Sequence, residues 1–161
     1  MKALLRLLRR RADPALSIAT PRDAAALAAL HAASFRRGWS EQEFEQLLTD
    51  RGVIVEQAAS GRQKVGFIVS RRAADEAEIL SVAVARAWRG RGLARKLLDL
   101  HLRRLAGSGL HAVFLEVDEG NEPARRLYAR AGFREVGRRP GYYAQATRSA
   151  ASALVLRRDL V

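Results

Sequence analysis

Leu80-Ser81-Val82-Ala83-Val84, followed shortly by Arg89-Gly90-Arg91-Gly92-Leu93-Ala94, is the stretch whose reading decides the fold. The apolar run Ile79 to Val84 has the composition of a buried strand. Beyond the glycines, Leu93, Ala94, Leu97, Leu98 and Leu105 form an apolar stripe at helical spacing, with Arg95, Lys96, Asp99, Arg103 and Arg104 mostly off it. A strand therefore delivers a glycine-rich turn onto a helix. Gly90 and Gly92 carry no Cβ to hold an anionic group away from the backbone. Unpaired N–H groups and the positive dipole end at the helix start then favour phosphate. By itself the segment leaves two readings open, a pyrophosphate cradle or a tight connection. Two familiar nucleotide signatures are excluded, since there is no GxxxxGK[ST] run and no GxGxxG opening the first strand-helix unit.

At 161 residues and 48% apolar content, the chain suits a single domain with a core of its own. No apolar run approaches the roughly 20 residues needed to span a bilayer, so a soluble, cytoplasmic protein without a membrane span is expected. Leu4, Leu5, Leu7 and Leu8 lie among Lys2, Arg6, Arg9, Arg10 and Arg11. Residues 1–14 therefore read as a basic leader rather than a secretory signal, and residues 15–161 as the folded domain. The chain has no cysteine, which removes disulfides, thiolate metal ligands and a cysteine nucleophile, and fits a reducing compartment. His31, His101 and His111 are scattered, with no HExxH or paired-carboxylate spacing, so no metal is expected.

The formal charge of +12 comes from 29 basic residues against 17 acidic ones, and nearly all the basic residues are arginine. Some anionic partner fits such a chain. Nucleic acid, a polyphosphorylated cofactor and a ribosome surface are candidates, and a solvated arginine-rich exterior is the alternative. No basic stripe interleaved with aromatics supports a base-stacking surface, so direct nucleic-acid binding has no motif behind it.

The rest of the chain predicts a mixed α/β (α+β) domain. Ala15 to Ala19 reads as a strand, and Thr20-Pro21-Arg22-Asp23 starts a helix through about Ala33. Ser40 with Glu43 forms a capping box for the next helix. Gly52 to Ala58 and Gln63 to Ser70 make a hairpin about Ser60-Gly61. Ala77 to Val84 leads into the glycine turn and the long helix, and Leu110 to Val117 is a strand apolar on both faces, hence central. A helix opens at Gly120 or Asn121 and runs through Arg130, Phe133 to Gly137 is a short strand, and Ala153 to Arg158 closes the domain. The hairpin requires antiparallel pairing, whereas the helical crossover from Val84 to Leu110 permits a parallel neighbour.

Four blocks in this order resemble the GCN5-related N-acetyltransferase (GNAT) family, and within it the RimI-like enzymes that act on the N-terminal alanine of a small-subunit ribosomal protein. They are Phe35 with Trp39-Ser40 and Phe44; LSVAV followed by WRGRGLA; LEVDEGNEPARRLYARAGF; and GRRPGYY. The resemblance covers about Ile18 to Asp159. It implies a single GNAT domain with a mixed, mostly antiparallel sheet, helices on both faces, and a central parallel pair splayed to admit acetyl-CoA.

The family's cofactor pattern, Q/R-x-x-G-x-G/A, is matched by Arg89, Gly92 and Ala94. The resemblance assigns the pyrophosphate to Gly90, Arg91, Gly92, Leu93, Ala94 and Arg95, and the pantetheine arm to Val82, Ala83 and Val84. Asn121 matches a position that touches the cofactor, and it also reads as a helix N-cap. Glu116 matches the family's proton acceptor. Its own pattern agrees, because it interrupts an otherwise apolar strand and is expected to be recessed; a strand-end glutamate paired with an arginine is the other reading. Tyr128 matches the proton donor, and with Ala124, Leu127 and Ala131 it also forms a helical core stripe.

Trp39, Tyr142 and Tyr143 correspond to segments framing the peptide entrance, with core packing open for Trp39. Glu41, Glu43, Glu45, Asp118, Glu119 and Glu122 are the acidic residues available to a basic peptide. Such a peptide must find local acidity that outweighs the global +12. Ala146-Thr147-Arg148-Ser149 departs from the acidic stretch usual in RimI-like sequences. The resemblance implies direct transfer of acetyl from acetyl-CoA, in a ternary complex, to a protein N-terminal amine, foremost the N-terminal alanine of a small-subunit ribosomal protein; another protein N-terminus, a lysine or a small amine, or a noncatalytic basic ribosome- or RNA-binding module, are the competing readings.

Overall fold

The central strand segments are apolar on both faces, and the strands accordingly assemble edge to edge with helices covering both faces. The structure, a computed structural model, describes residues 12–141 and 152–161. Its strands are β1 (Ala15–Ile18), β2 (Val53–Ser60), β3 (Gln63–Ala73), β4 (Glu76–Val84), β5 (Ala112–Asp118), β6 (Arg134–Arg139) and β7 (Ala153–Asp159). Its helices are α1 (Ala24–Ser34), α2 (Glu41–Thr49), α3 (Leu93–Gly107) and α4 (Glu122–Arg130). Among the described residues the strands form one sheet in the order β1-β2-β3-β4-β5-β7-β6. Every neighbouring pair is antiparallel except β4 and β5.

Local signals set the helix boundaries. Ser40 Oγ accepts the Glu43 N–H at 3.1 Å while Glu43 Oε2 accepts the Ser40 N–H at 2.6 Å, the reciprocal pair that starts α2. Asn121 Oδ1 accepts the Ala124 N–H at 3.3 Å and caps α4. The entry to α1 differs from expectation: Pro21–Asp23 forms a single 3-10 turn, and the α-helix proper begins at Ala24.

Two apolar layers hold the sheet. On one face, Leu97, Leu98 and Leu105 of α3 are buried against Val65, Ile68, Val113 and Leu115, each leucine worth about 1.5–3 kcal/mol. On the other, Leu27 and Leu30 of α1 and Phe44 of α2 pack on Val55, Phe67 and Val69. A buried polar tie crosses the first layer. Glu56 Oε2 accepts His101 Nδ1–H at 2.7 Å, His101 Nε2 lies 2.6 Å from Ser70 Oγ, and Arg104 Nε donates to Glu56 Oε1 at 2.6 Å. Burial pushes the Glu56 carboxyl up, but the hydrogen bonds and charges of His101 and Arg104 outweigh it and hold it below the usual carboxylate range.

The feature that positions the site is where the parallel pair stops. The β4–β5 register ends at Ile79↔Leu115, yet β4 continues on β3 to Val84 and β5 continues on β7 to Asp118. Opposite Val69 and Ser70 the β3–β4 register slips, pairing Ser70 with Ile79 and Val69 with Ser81. Leu80 is therefore a bulge, placed immediately after the last β4–β5 pair. An extra residue bends a strand and raises its twist, so the bulge turns β4 away from β5 and opens a wedge between them.

Candidate active site

Each side of the wedge opens into its own cleft. At the carboxyl end of β4, on the α3/α4 side, lies a cleft of about 740 Å³. Val82, Ala83 and Val84 line it along the β4 edge that has left β5. Arg89, Gly90, Gly92, Leu93, Ala94 and Arg95 line its floor, and Asn121 and Tyr128 face it from α4. Arg91 does not: its guanidinium sits over the buried Trp88 ring, 5.1 Å from the centroid, where it packs the turn instead of the cleft. Phe35, named above only as part of a resemblance block, also lines it, as do Pro123, Arg126 and Arg130, to which the sequence reading gave no role at the site. Arg126 and Arg130 are four apart on α4, a spacing that could have marked them as sharing one side.

The turn is built from backbone conformation. Gly90 and Gly92 take φ of +73° and +77°, a left-handed geometry that costs other residues about 1 kcal/mol or more. Nothing lies within 4 Å of where a Cβ would stand on either, so conformation rather than crowding calls for glycine. Arg89 Nε donates to Val84 O at 2.9 Å and ties the turn to the strand end. Unlike Ser40 and Asn121, Gly92 gives its helix no side-chain cap, which leaves the first-turn N–H groups of α3 open to an anion. At the wedge itself, Ser81 Oγ is buried without a hydrogen-bond partner among the described residues.

Tyr128 is both a core residue and a cleft residue. Its ring is buried, edge-on to Phe133 with centroids 5.5 Å apart, and it also borders the cleft. Burial pushes its hydroxyl up to about 12, so it stays protonated at neutral pH. Asn121 likewise caps α4 and lines the cleft.

The second cleft, about 510 Å³, lies on the α1/α2 face. Val113, Leu115 and Val117 point into the α3 layer, so strand alternation puts Glu116 on this opposite face. Glu116 lines the cleft with Trp39, Leu47 and Leu80, together with Glu43, Asp50, Glu78 and Arg71. The expectation of a recessed carboxylate is corrected here. The Glu116 side chain is 35% exposed, and Arg139 Nη2 stands 2.8 Å from its Oε1. Helix α2 reaches only part of this face, leaving the end of β5 to solvent and to an arginine from β6.

Trp39 also serves twice. It borders the cleft, its ring stacks on His31 with centroids 4.4 Å apart, and its backbone N–H donates to His31 Nδ1 at 3.0 Å. Burial pushes the His31 imidazole below its ordinary value, against a smaller upward pull from Glu43. Of the acidic residues proposed for the peptide, only Glu43 lines this cleft. Glu119 is paired with Arg138, and Glu122 with Arg125 and Arg126. Tyr142 and Tyr143 lie outside the described residues. Among the described residues no group of three or more His, Asp and Glu side chains could hold a metal ion, and no helix is long and apolar enough to cross a membrane.

The acetyltransferase (GNAT) family model matches residues 24–133, a span that includes the wedge, the glycine turn, Glu116 and Tyr128. The chain belongs to the GNAT family. It is 30% identical over 92 residues to the [ribosomal protein bS18]-alanine N-acetyltransferase of Haemophilus ducreyi, covering 57% of this chain and 63% of that one. The chain spans less than two thirds of the length of several curated relatives it matches, from 22% to 64%. Its fold is that of the ribosomal-protein-S18-alanine N-acetyltransferase from Escherichia coli, with a TM-score of 0.83 and 24% identity, covering 91% of this chain and 94% of that one. It is also that of Arabidopsis thaliana NAA60 in complex with acetyl-CoA, with a TM-score of 0.77 and 21% identity over 91% of this chain and 98% of that one. The GNAT match ends at Phe133. Arg139, which the structure brings to Glu116, lies beyond it.

Proposed function

We propose that this GNAT protein transfers an acetyl group from acetyl-CoA to a protein N-terminal amine, by direct attack in a ternary complex. The N-terminal alanine of a small-subunit ribosomal protein is the favoured acceptor. The observation that carries the reading is the opposition of two groups across the wedge, Tyr128 in one cleft and Glu116 in the other.

The residues present fit acetyl-CoA. The uncapped start of α3 and the two positive-φ glycines suit a diphosphate. The open edge of Val82–Val84 suits an arm bearing amides, which would pair with it as an added strand. Bound there, acetyl-CoA supplies an activated acetyl thioester. Glu116 takes the amine proton, directly or through water, and Tyr128 gives its proton to the departing thiolate. The chain has no cysteine to carry the acetyl group, which favours direct attack. Holding amine and thioester at one wedge supplies the orientation.

An α-amine, with pKa near ~8, offers a neutral fraction at pH 7, whereas lysine near ~10.4 offers far less. Glu43, Asp50 and Glu78 against Arg71, with Glu116 paired to Arg139, give this cleft a negative balance in a chain of net charge +12. That balance supports a basic peptide segment as the guest. The alanine preference comes from the likeness to the bS18-alanine N-acetyltransferases. The test is CoA release with a peptide beginning in alanine, the same peptide blocked at its amine, and a free lysine side chain, and turnover is expected with the first only. Equal turnover of the lysine would move the acceptor to another amine. RNA binding of steep salt dependence without acetyl-CoA binding would replace the enzyme by a basic binding module.

A further inference from the structure

Glu116, the carboxylate placed to meet the amine, already carries a cation. Arg139 Nη2 stands 2.8 Å from its Oε1, with both side chains partly in water. Topology brings them together. Because β7 lies between β5 and β6, Glu116 registers with Val155, while Arg139 registers with Ala153. Leu154 and Leu156 point into the α3 layer, so Ala153, Val155, Glu116 and Arg139 share the opposite face.

Glu43 and Asp50 from α2 and its end, Arg71 from β3 and Glu78 from β4 share the cleft with Glu116. Without Arg139 this is a trap for ammonium groups, and an ammonium has no lone pair with which to attack. We propose that Arg139 is a specificity-determining residue: seated on Glu116, it makes the reacting end of the cleft disfavour ammonium groups. It thereby selects an α-amine over a lysine side chain. At pH 9 the α-amine is mostly neutral and the lysine still charged, given pKa values of ~8 and ~10.4. The neutral amine meets no repulsion, because the guanidinium opposes charge and not the N–H donor. This selection rests on the reading of Glu116 as the group that receives the amine.

The experiment measures, at pH 9, the KM of an alanine-starting peptide and the inhibition constant of Nα-acetyl-lysine amide as its competitor. Arg139→Gln is expected to tighten the lysine inhibitor by about two- to fivefold, the scale of a partly exposed ion pair, and to leave the peptide KM unchanged. Arg139→Lys, which keeps the cation, should behave as the native protein, and Arg139→Met should repeat the Gln result with different packing. An unchanged lysine inhibition constant in both neutral variants overturns the proposal. So does equal tightening of both ligands, or a Lys variant that behaves like Gln. Glu116→Gln separates the two levels. Full turnover in that variant overturns the role of Glu116 itself, whereas its loss alongside an unmoved lysine constant overturns only the role of Arg139.

Discussion

Tyr128 and Glu116 are expected to act on turnover and not on binding or stability. Tyr128→Phe keeps the ring on Phe133 and removes only the hydroxyl, so acetyl-CoA affinity and melting temperature should hold while turnover falls. Glu116→Gln keeps the shape of a partly exposed side chain and should do the same. General acid and base groups contribute about 10²–10⁴-fold, and steady-state rates at saturating substrates read this directly. Unchanged turnover in both variants would remove them from the reaction. Because burial holds the Tyr128 hydroxyl at about 12, its deprotonation should cost no activity up to about pH 10. An alkaline limb below that, if still present in the residual activity of Tyr128→Phe, belongs to another group. The burial of Tyr128 is legible in the sequence, since it belongs to the α4 apolar stripe, and a tyrosine there brings a hydroxyl with it. The exposure of Glu116 is not legible. Alternation along β5 gives its face, but what covers that face depends on α2 and on β6, and no local pattern places those.

At the scale of elements, the glycine turn is the part most sensitive to backbone. Gly92→Ala must hold φ near +77° at the start of α3, at a cost of about 1–2 kcal/mol. Held in place, that strain lowers stability; relieved, it moves the first-turn N–H groups and weakens acetyl-CoA binding by roughly fivefold or more. Melting temperature and calorimetric titration together read which occurs, and a variant native in both would mean that the turn does not hold the diphosphate. The order of strands and helices follows from the sequence because each is punctuated locally, at Ser40 with Glu43, at Ser60-Gly61, at Gly92 and at Asn121. Two features are not punctuated. The bulge at Leu80 lies inside a continuous apolar run, Ile79 to Val84, where an extra residue leaves no mark on the pattern. The insertion of β7 between β5 and β6 is a long-range choice, and it is what carries Arg139 to Glu116.

Across the whole molecule, the +12 charge is spread over a surface where many carboxylates are already matched to arginines, among them Glu119, Glu122 and Asp159. One carboxylate is matched in the interior. Ser70, His101 and Glu56 have the order of a nucleophile, base and acid, yet their side chains lie buried beneath α3, so this chain of bonds fastens the helix that bears the glycine turn. Nothing in the local pattern marks it beyond a lone histidine in a helix, because Glu56 and Ser70 sit on strands far away in the chain. Removing one partner of a buried pair costs about 3–5 kcal/mol, and Arg104, partly exposed, can return to water and soften the loss. Glu56→Gln should therefore cost about 3 kcal/mol at pH 7, or roughly 6–12 °C in melting temperature for a domain of this size. The folded-state pKa of Glu56 lies below its unfolded value, so the folded state holds fewer protons. Its stabilisation is complete above about pH 5 and is lost as pH falls through the folded value. Melting curves of the native and Glu56→Gln proteins should thus stand furthest apart near neutrality and converge below about pH 4.5. A gap that stayed constant down to pH 2.5 would show that the ionised carboxylate is not what holds α3 to the sheet.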